Sequence, residues 1–146
     1  MRHYFHIFWV VVMAVALSSC ELETSDNKDL DGMWRLASVD TLATGNSADM
    51  SGKKIYWSFQ YKLLQFDDYN GNNQSLLLRF EHSGNSLRVY DPYIYDREDG
   101  DIQLTDVSLL APFGVNSLEE TFTVEALGGG KMVLCSPTLR LGFRKL

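Results

Sequence analysis

The residue best equipped for chemistry stands near the start of the chain. Cys20 follows Leu17-Ser18-Ser19, an aliphatic residue and two small ones. This is a lipobox, in which the cysteine thiol receives diacylglycerol and a peptidase then cleaves before it. Small residues are required because the peptidase must grip an extended backbone beside the modified sulfur. Upstream, Met1-Arg2-His3 is a short positive start, and Ile7 to Leu17 is an eleven-residue run without a charge. As a helix that run spans roughly 16 Å, about half a bilayer core. It is too short to cross a membrane and reads as the core of an export signal. Residues 1–19 are therefore expected to be removed, leaving Cys20 as the lipid-bearing first residue. A single acyl chain holds a protein only marginally, and stable attachment takes two signals. The two or three chains of a lipidated cysteine meet that need, so the expected partner is a membrane surface, reached by a tether.

Other reactive constellations are sparse. His3 and His6 leave with the signal, so His82 is the sole imidazole of the mature chain. That rules out multi-histidine metal sites and argues against a Ser-His-Asp triad. No phosphate-cradling loop or dinucleotide fingerprint occurs, and Gly128-Gly129-Gly130 lacks the Lys-Ser/Thr and the following helix that phosphate binding needs. Asp67 and Asp68 are adjacent, so on a strand they point to opposite faces and cannot flank one glycosidic bond. Asp96-Arg97-Glu98-Asp99-Gly100-Asp101 is rich in carboxylates but fails the EF-hand spacing, and reads as a solvated loop. Cys135, left unpaired once Cys20 is acylated, sits among Met132, Val133, Leu134 and Leu139 and reads as a buried structural thiol. The expectation is a protein without catalytic residues, metal or cofactor.

Charge narrows the partners. The chain carries 13 Lys and Arg against 19 Asp and Glu. Losing Arg2 with the signal leaves 12 against 19, a formal charge of −7. No basic stripe is available to neutralise nucleic-acid phosphates. The acidic excess also opposes adsorption of the whole chain to an anionic surface. Residues 20–29 combine the lipidated Cys20 with a polar, acidic run from Glu21 to Asp29, too poor in apolar residues to bury a core, and are expected to form a flexible tether. Residues 30–146 then suffice for one domain around one core.

From Leu30 onward the hydrophobic period is two, the period of β-strands. Ile55, Trp57, Phe59, Tyr61 and Leu63 alternate with polar residues; Leu64 and Phe66 continue on the opposite parity, which calls for a bulge or bend near Leu63. Leu76, Leu78 and Phe80 alternate before a turn at Ser83-Gly84-Asn85, and Leu87 to Tyr90 returns as the second arm of a hairpin. Residues 91–101 contain a loop, and Leu104 to Leu110 fits a strand or a helical turn equally well. Phe122 and Val124, Met132 and Leu134, and Leu139, Leu141 and Phe143 mark three further strands. The reading is an all-β antiparallel up-and-down meander of about eight strands, following the signal helix and the tether. Closing it into a barrel removes its exposed edges.

Asp31-Gly32-Met33-Trp34 opens the first strand, and Phe143-Arg144-Lys145-Leu146 ends the last. Gly-X-Trp on a first strand with a late Arg resembles the lipocalin-like, calycin-type barrels, and the chain ending resembles lipoproteins of Bacteroides-type bacteria. The resemblance implies a small lipocalin-like β-barrel over residues 30–146. It also implies that Trp34 plugs one barrel end under a stacked arginine, Arg144 in preference to Arg140. It further implies a lipid-anchored protein of a gram-negative cell envelope, at the outer membrane, with a small apolar or amphipathic ligand inside the barrel. The residues expected to line such a cavity are Trp57, Phe59, Tyr61, Phe80, Tyr90, Phe122 and Phe143. The competing expectation is an interaction module that holds a protein partner. Acidic residues after Cys20 partly resemble a surface-export signal of that bacterial group, and Asp40-Thr41-Leu42 resembles its O-glycosylation acceptor.

Overall fold

The computed structural model describes residues 27–146. The export signal, the lipobox and most of the expected tether fall outside the described residues. Ten strands follow a short 3₁₀ turn at Lys28–Leu30. They are β1 (Gly32–Thr41), β2 (Ser47–Asp49), β3 (Ile55–Gln60), β4 (Leu63–Asp68), β5 (Leu76–Ser83), β6 (Ser86–Ile94), β7 (Ile102–Gln103), β8 (Glu120–Gly128), β9 (Lys131–Cys135) and β10 (Leu139–Lys145). Eight of them pair in the order β1-β3-β4-β5-β6-β8-β9-β10, every pair antiparallel. The β1–β10 pairing closes the barrel, while β2 and β7 are short additions to β1 and β6. The expected meander is thus present and closed.

Eight strands make an interior just wide enough for side chains to fill. Inward positions alternate along each strand: Trp34 and Leu36; Ile55, Trp57 and Phe59; Leu64 and Phe66; Leu76, Leu78 and Phe80. All are buried. Three strands carry one extra residue against a neighbour: β1 at Ala37, β6 at Asp91 and β8 at Glu125. Each extra residue flips the facing and sharpens the local twist, which helps a small sheet curl shut. In β6 the flip is visible directly, since Leu87 and Val89 face inward before Asp91 and Pro92 does so after it.

The parity change after Phe59 has another cause than the expected bulge or bend at Leu63. Tyr61-Lys62 is a two-residue hairpin turn between the paired Gln60 and Leu63. Tyr61 adopts a left-handed conformation (φ 56°) there. The uncertain Leu104–Leu110 stretch is not a strand. It leads into two 3₁₀ turns, Val107–Leu109 and Ala111–Phe113.

Candidate functional site

Five of the seven residues expected to line a cavity come together inside the barrel, and they fill it. The Trp57 ring lies 4.6 Å from Phe66, 4.9 Å from Phe143, 5.9 Å from Phe122 and 6.2 Å from Phe59, centroid to centroid. Phe59 meets Phe80 edge-on at 5.0 Å. Edge-to-face and tilted contacts in this range are the favourable arrangements of aromatic quadrupoles. A side chain bordering a void large enough for water would retain accessible surface, even inside a closed barrel. Trp57, Phe66, Phe113 and Phe122 retain none, nor do Leu36, Leu64, Met132 and Leu134. At these positions the interior is packed core.

The other two residues lie elsewhere. Tyr61 is in the β3–β4 turn and 65% exposed, so the inward direction expected for it is corrected. Tyr90 alternates with the inward Leu87 and Val89 and therefore faces outward, where the Arg88 guanidinium covers its ring at 3.9 Å. Phe66 and Phe113 complete the aromatic layer in their place.

Each end of the barrel is closed by a segment outside the strands. At the end where β1 begins, the turn Lys28–Leu30 inserts the fully buried Leu30, and the Trp34 indole N–H donates to its carbonyl at 2.9 Å. The cation over Trp34 is Lys145, whose Nζ is 5.3 Å from the ring centroid, and not the expected Arg144. The register explains the exchange. Lys145 is directly opposite Trp34, whereas Arg144 pairs with Arg35 and is exposed. The Lys145 stem passes over Gly32, where a Cβ would come within 3.0 Å of its Cε, so glycine in Gly-X-Trp leaves room for the cation.

At the opposite end, Val107 to Val115 crosses the mouth. Asp106 starts it by accepting the Ser108 N–H at 3.0 Å. Gly114 ends it in the left-handed region (φ 88°). Between them Phe113 drops into the barrel and stacks on Phe66 at 5.0 Å, while the Trp57 indole N–H donates to the Phe113 carbonyl at 3.0 Å. Leu110 and Val115 are fully buried beside it.

The polar candidates have structural work. Asp67 accepts from Gln65 and Ser75, and Asp68 caps the turn that follows through Asn70, Asn72 and Asn73. Asp96 caps its own loop by accepting the Glu98 and Asp99 N–H groups. His82 is exposed. Cys135 is half-buried, not fully buried, with its thiol toward the Ser136 carbonyl at 3.5 Å. Among the described residues, no group of three His, Cys, Asp or Glu side chains is arranged to hold a metal ion. No described helix is long and apolar enough to cross a membrane. Glu120 at the mouth has its carboxyl pKa raised by burial, against the lowering effect of the Asn116 and Ser117 backbone N–H groups.

The outer wall carries shallow concavities. One, of about 190 Å³, is bounded by Leu63, Leu77, Leu78, Arg79, Asp91, Tyr93 and Asp101. A second, of about 150 Å³, adjoins it through Leu63 and Leu77 and reaches Tyr61. Leu63 is 47% exposed, and Ile102 on the neighbouring β7 is 57% exposed. A third, of about 370 Å³, lies across β1, β10 and β9 between Ser38, Asp40, Lys131, Arg140 and Arg144.

A closed eight-stranded antiparallel meander with a Gly-X-Trp strand at its plugged end defines a lipocalin-like barrel. The chain belongs to the family of lipocalin-like domains, whose model matches residues 15–146. It is similar in structure to a lipocalin-like protein from Bacteroides uniformis at 20% identity, covering 81% of this chain and 99% of that one with a TM-score of 0.62. It is also similar to an uncharacterized protein from Bacteroides eggerthii at 18% identity, covering 80% and 98% with a TM-score of 0.56. At these identities the two structures speak for the fold alone. Among curated proteins, none matches the chain.

Proposed function

We propose that this chain is a lipid-anchored cell-envelope protein whose filled barrel serves as a non-enzymatic interaction module. The observation that carries the reading is the packed interior: the side chains that would line a cavity contact one another instead. Binding then belongs to the outside. The wall around Leu63, Leu77 and Tyr93 offers exposed apolar surface beside Arg79 and Asp91. Exposed apolar patches rimmed by polar groups mark contact sites. Acylation of Cys20 would hold this surface at the membrane, which in the gram-negative setting of the resemblance is the outer membrane.

A carrier function is the second reading, and the plug favours it. Phe113 occupies the mouth of a lipocalin-like barrel as a guest would, so an apolar or amphipathic ligand would bind by displacing Val107 to Val115. Fold alone is a weak guide to function, which ranks this reading second. Native mass spectrometry of the protein purified gently from its host separates the two. A bare polypeptide mass, with no uptake of fatty-acid, sterol or haem-like probes, supports the module. A reproducible extra mass lost on denaturation establishes the carrier. A photo-crosslinking residue at Leu77 should then trap a discrete partner in cells, and Leu63→Glu should abolish the product. The anchor is tested independently, by the acyl mass on Cys20 and its loss in Cys20→Ala.

A further inference from the structure

Along the third groove, which Lys131 and Arg144 line, and continuing past it to Arg35, runs a charge pattern that the packing of the barrel does not require. Arg35 on β1 is directly opposite Arg144 on β10, and Arg144 is directly opposite Lys131 on β9. Three cations thus form one row across three adjacent strands. All three alternate with inward residues and face outward. Directly opposed side chains have Cβ atoms only about 4.5–5.5 Å apart, and like charges so placed repel. Among the described residues the ion pairs employ Arg79, Arg88 and Arg140, and none uses a member of this row. Asp49 is held below the usual carboxylate range chiefly by hydrogen bonds from Ser51, with a smaller contribution from the Arg35 charge, and Asp40 lines the same groove as Lys131 and Arg144. The Arg35 Nε is buried without a hydrogen-bond partner. Two guanidinium groups beside an ammonium are suited to a phosphate, whose oxygens accept several charge-assisted bonds at once.

Position in the barrel points the row at a membrane. It lies toward the end where the chain enters at Asn27, together with the exposed Lys28, Lys62 and Lys145. Asp29, Asp31 and Glu81 share that end, but Glu81 is engaged by Arg88 at 3.0 Å and Asp31 accepts from Asn27. The far end is acidic, with Asp68, Asp96, Glu98, Asp99, Asp101 and Asp106 against Lys53, Lys54 and Arg97. Cys20 precedes Asn27 by seven residues, a reach of at most about 25 Å. We propose that Arg35, Arg144 and Lys131 form a docking site for the phosphates of anionic lipid headgroups, seating the cationic end of the barrel on the bilayer and turning the acidic end away from it. The orientation rests on the anchored reading above; the lipid-phosphate contact itself does not require acylation. The expectation that an acidic chain avoids an anionic surface holds for its mean charge, while the charges themselves are segregated to opposite ends.

The test uses residues 20–146 with Cys20→Ser, so that no acyl chain contributes; among the described residues the buried hydrophobic core runs from Leu30 to Phe143. Cosedimentation is measured with phosphatidylcholine vesicles with and without 30% phosphatidylglycerol. Each cation near such a surface contributes roughly a fivefold gain in partitioning. Arg35→Gln/Lys131→Gln/Arg144→Gln should therefore weaken binding to the anionic vesicles on the order of a hundredfold. Lys53→Gln/Lys54→Gln/Arg97→Gln, with the same change in net charge at the far end, should leave binding within about twofold. Thermal melts confirm that both variants fold. Equal losses in the two variants, or no preference for anionic vesicles in the parent, overturns the site. Inorganic phosphate that binds the row while vesicles do not overturns its assignment to lipid. Acylation is read separately from the mass of the full chain, so failure of the anchor and failure of the docking site are distinct results.

Discussion

Replacing Phe113 by Ala tests whether the barrel is sealed by its own side chain. The ring is fully buried and stacked on Phe66 at 5.0 Å. The bond from the Trp57 indole goes to the Phe113 backbone carbonyl and survives the substitution. What is lost is ring burial and packing alone, about 3–5 kcal/mol for a Phe→Ala change that leaves a cavity. For a domain of this size that corresponds to a fall in Tm of about 10–20 °C. The assay is urea denaturation followed by tryptophan fluorescence, since Trp57 touches the altered layer. The new void is lined by aromatic and aliphatic groups, so it should stay dry and accept benzene. Benzene at ten times its Kd would restore about 1.4 kcal/mol to the variant and nothing to the parent. A loss below about 1 kcal/mol would show that Phe113 is not packed as described. Equal stabilisation of the parent by benzene or a fatty acid would show that a void already exists, and would reinstate the carrier.

Three further outcomes follow from named contacts. Trp57→Phe keeps most of the ring but removes the N–H that serves the buried Phe113 carbonyl, and should cost about 1–3 kcal/mol beyond the lost area in the same denaturation assay. Gly114→Ala forces a side chain into the left-handed region, with its Cβ 2.9 Å from the Leu141 methyls; a loss of about 1–3 kcal/mol is expected, and retention of parental Tm would contradict the plug geometry. Glu120→Gln tests the half-buried carboxyl. Its folded pKa is raised by burial, so the folded state holds the proton more tightly, and its contribution to stability is present below the unfolded value and lost as pH rises through the folded one. The Gln variant should therefore melt higher than the parent at pH 7 and equally at pH 4.

Alternation made the strands readable, and its interruptions hid what mattered most for the site. The period that puts Phe143 inside also puts Lys145 inside and Arg144 outside, so the local pattern favours Lys145 as the Trp34 partner where the family resemblance favours an arginine. Tyr90 is aromatic but stands one position beyond the inward Val89, so its parity sets it on the outer face. Tyr61 kept the parity of Phe59 but belongs to the turn, a position that Tyr-Lys does not advertise because neither Gly nor Asn supplies the positive φ. The plug was illegible for another reason. Val107 to Val115 has no period, and Phe113 gains its place only from Phe66 and Trp57, which are remote in sequence. The cation row is likewise a product of strand register, since Arg35, Lys131 and Arg144 share no local motif.

A filled barrel, held by the tether expected at residues 20–29, would act through its outer wall. Packing the interior removes the chain's capacity to respond from within, leaving a rigid wall whose groups hold fixed spacings. Surface contacts of a few exposed cations are individually weak. Attachment through Cys20 would change their standing, because a site held within about 25 Å of its target meets it at an effective concentration near the millimolar range. A headgroup site with millimolar affinity would then be substantially occupied in the anchored protein, though hardly detectable in the free domain at micromolar lipid. That sets the conditions of the vesicle experiment: accessible lipid must reach millimolar concentration and ionic strength must be low. Raising the salt to physiological strength contracts the screening length from about 30 Å at 0.01 M to about 8 Å. Binding that survives this contraction undiminished in the Arg35→Gln/Lys131→Gln/Arg144→Gln variant would have to be apolar, and would move the membrane contact from the cation row to the exposed Tyr61 and Leu63.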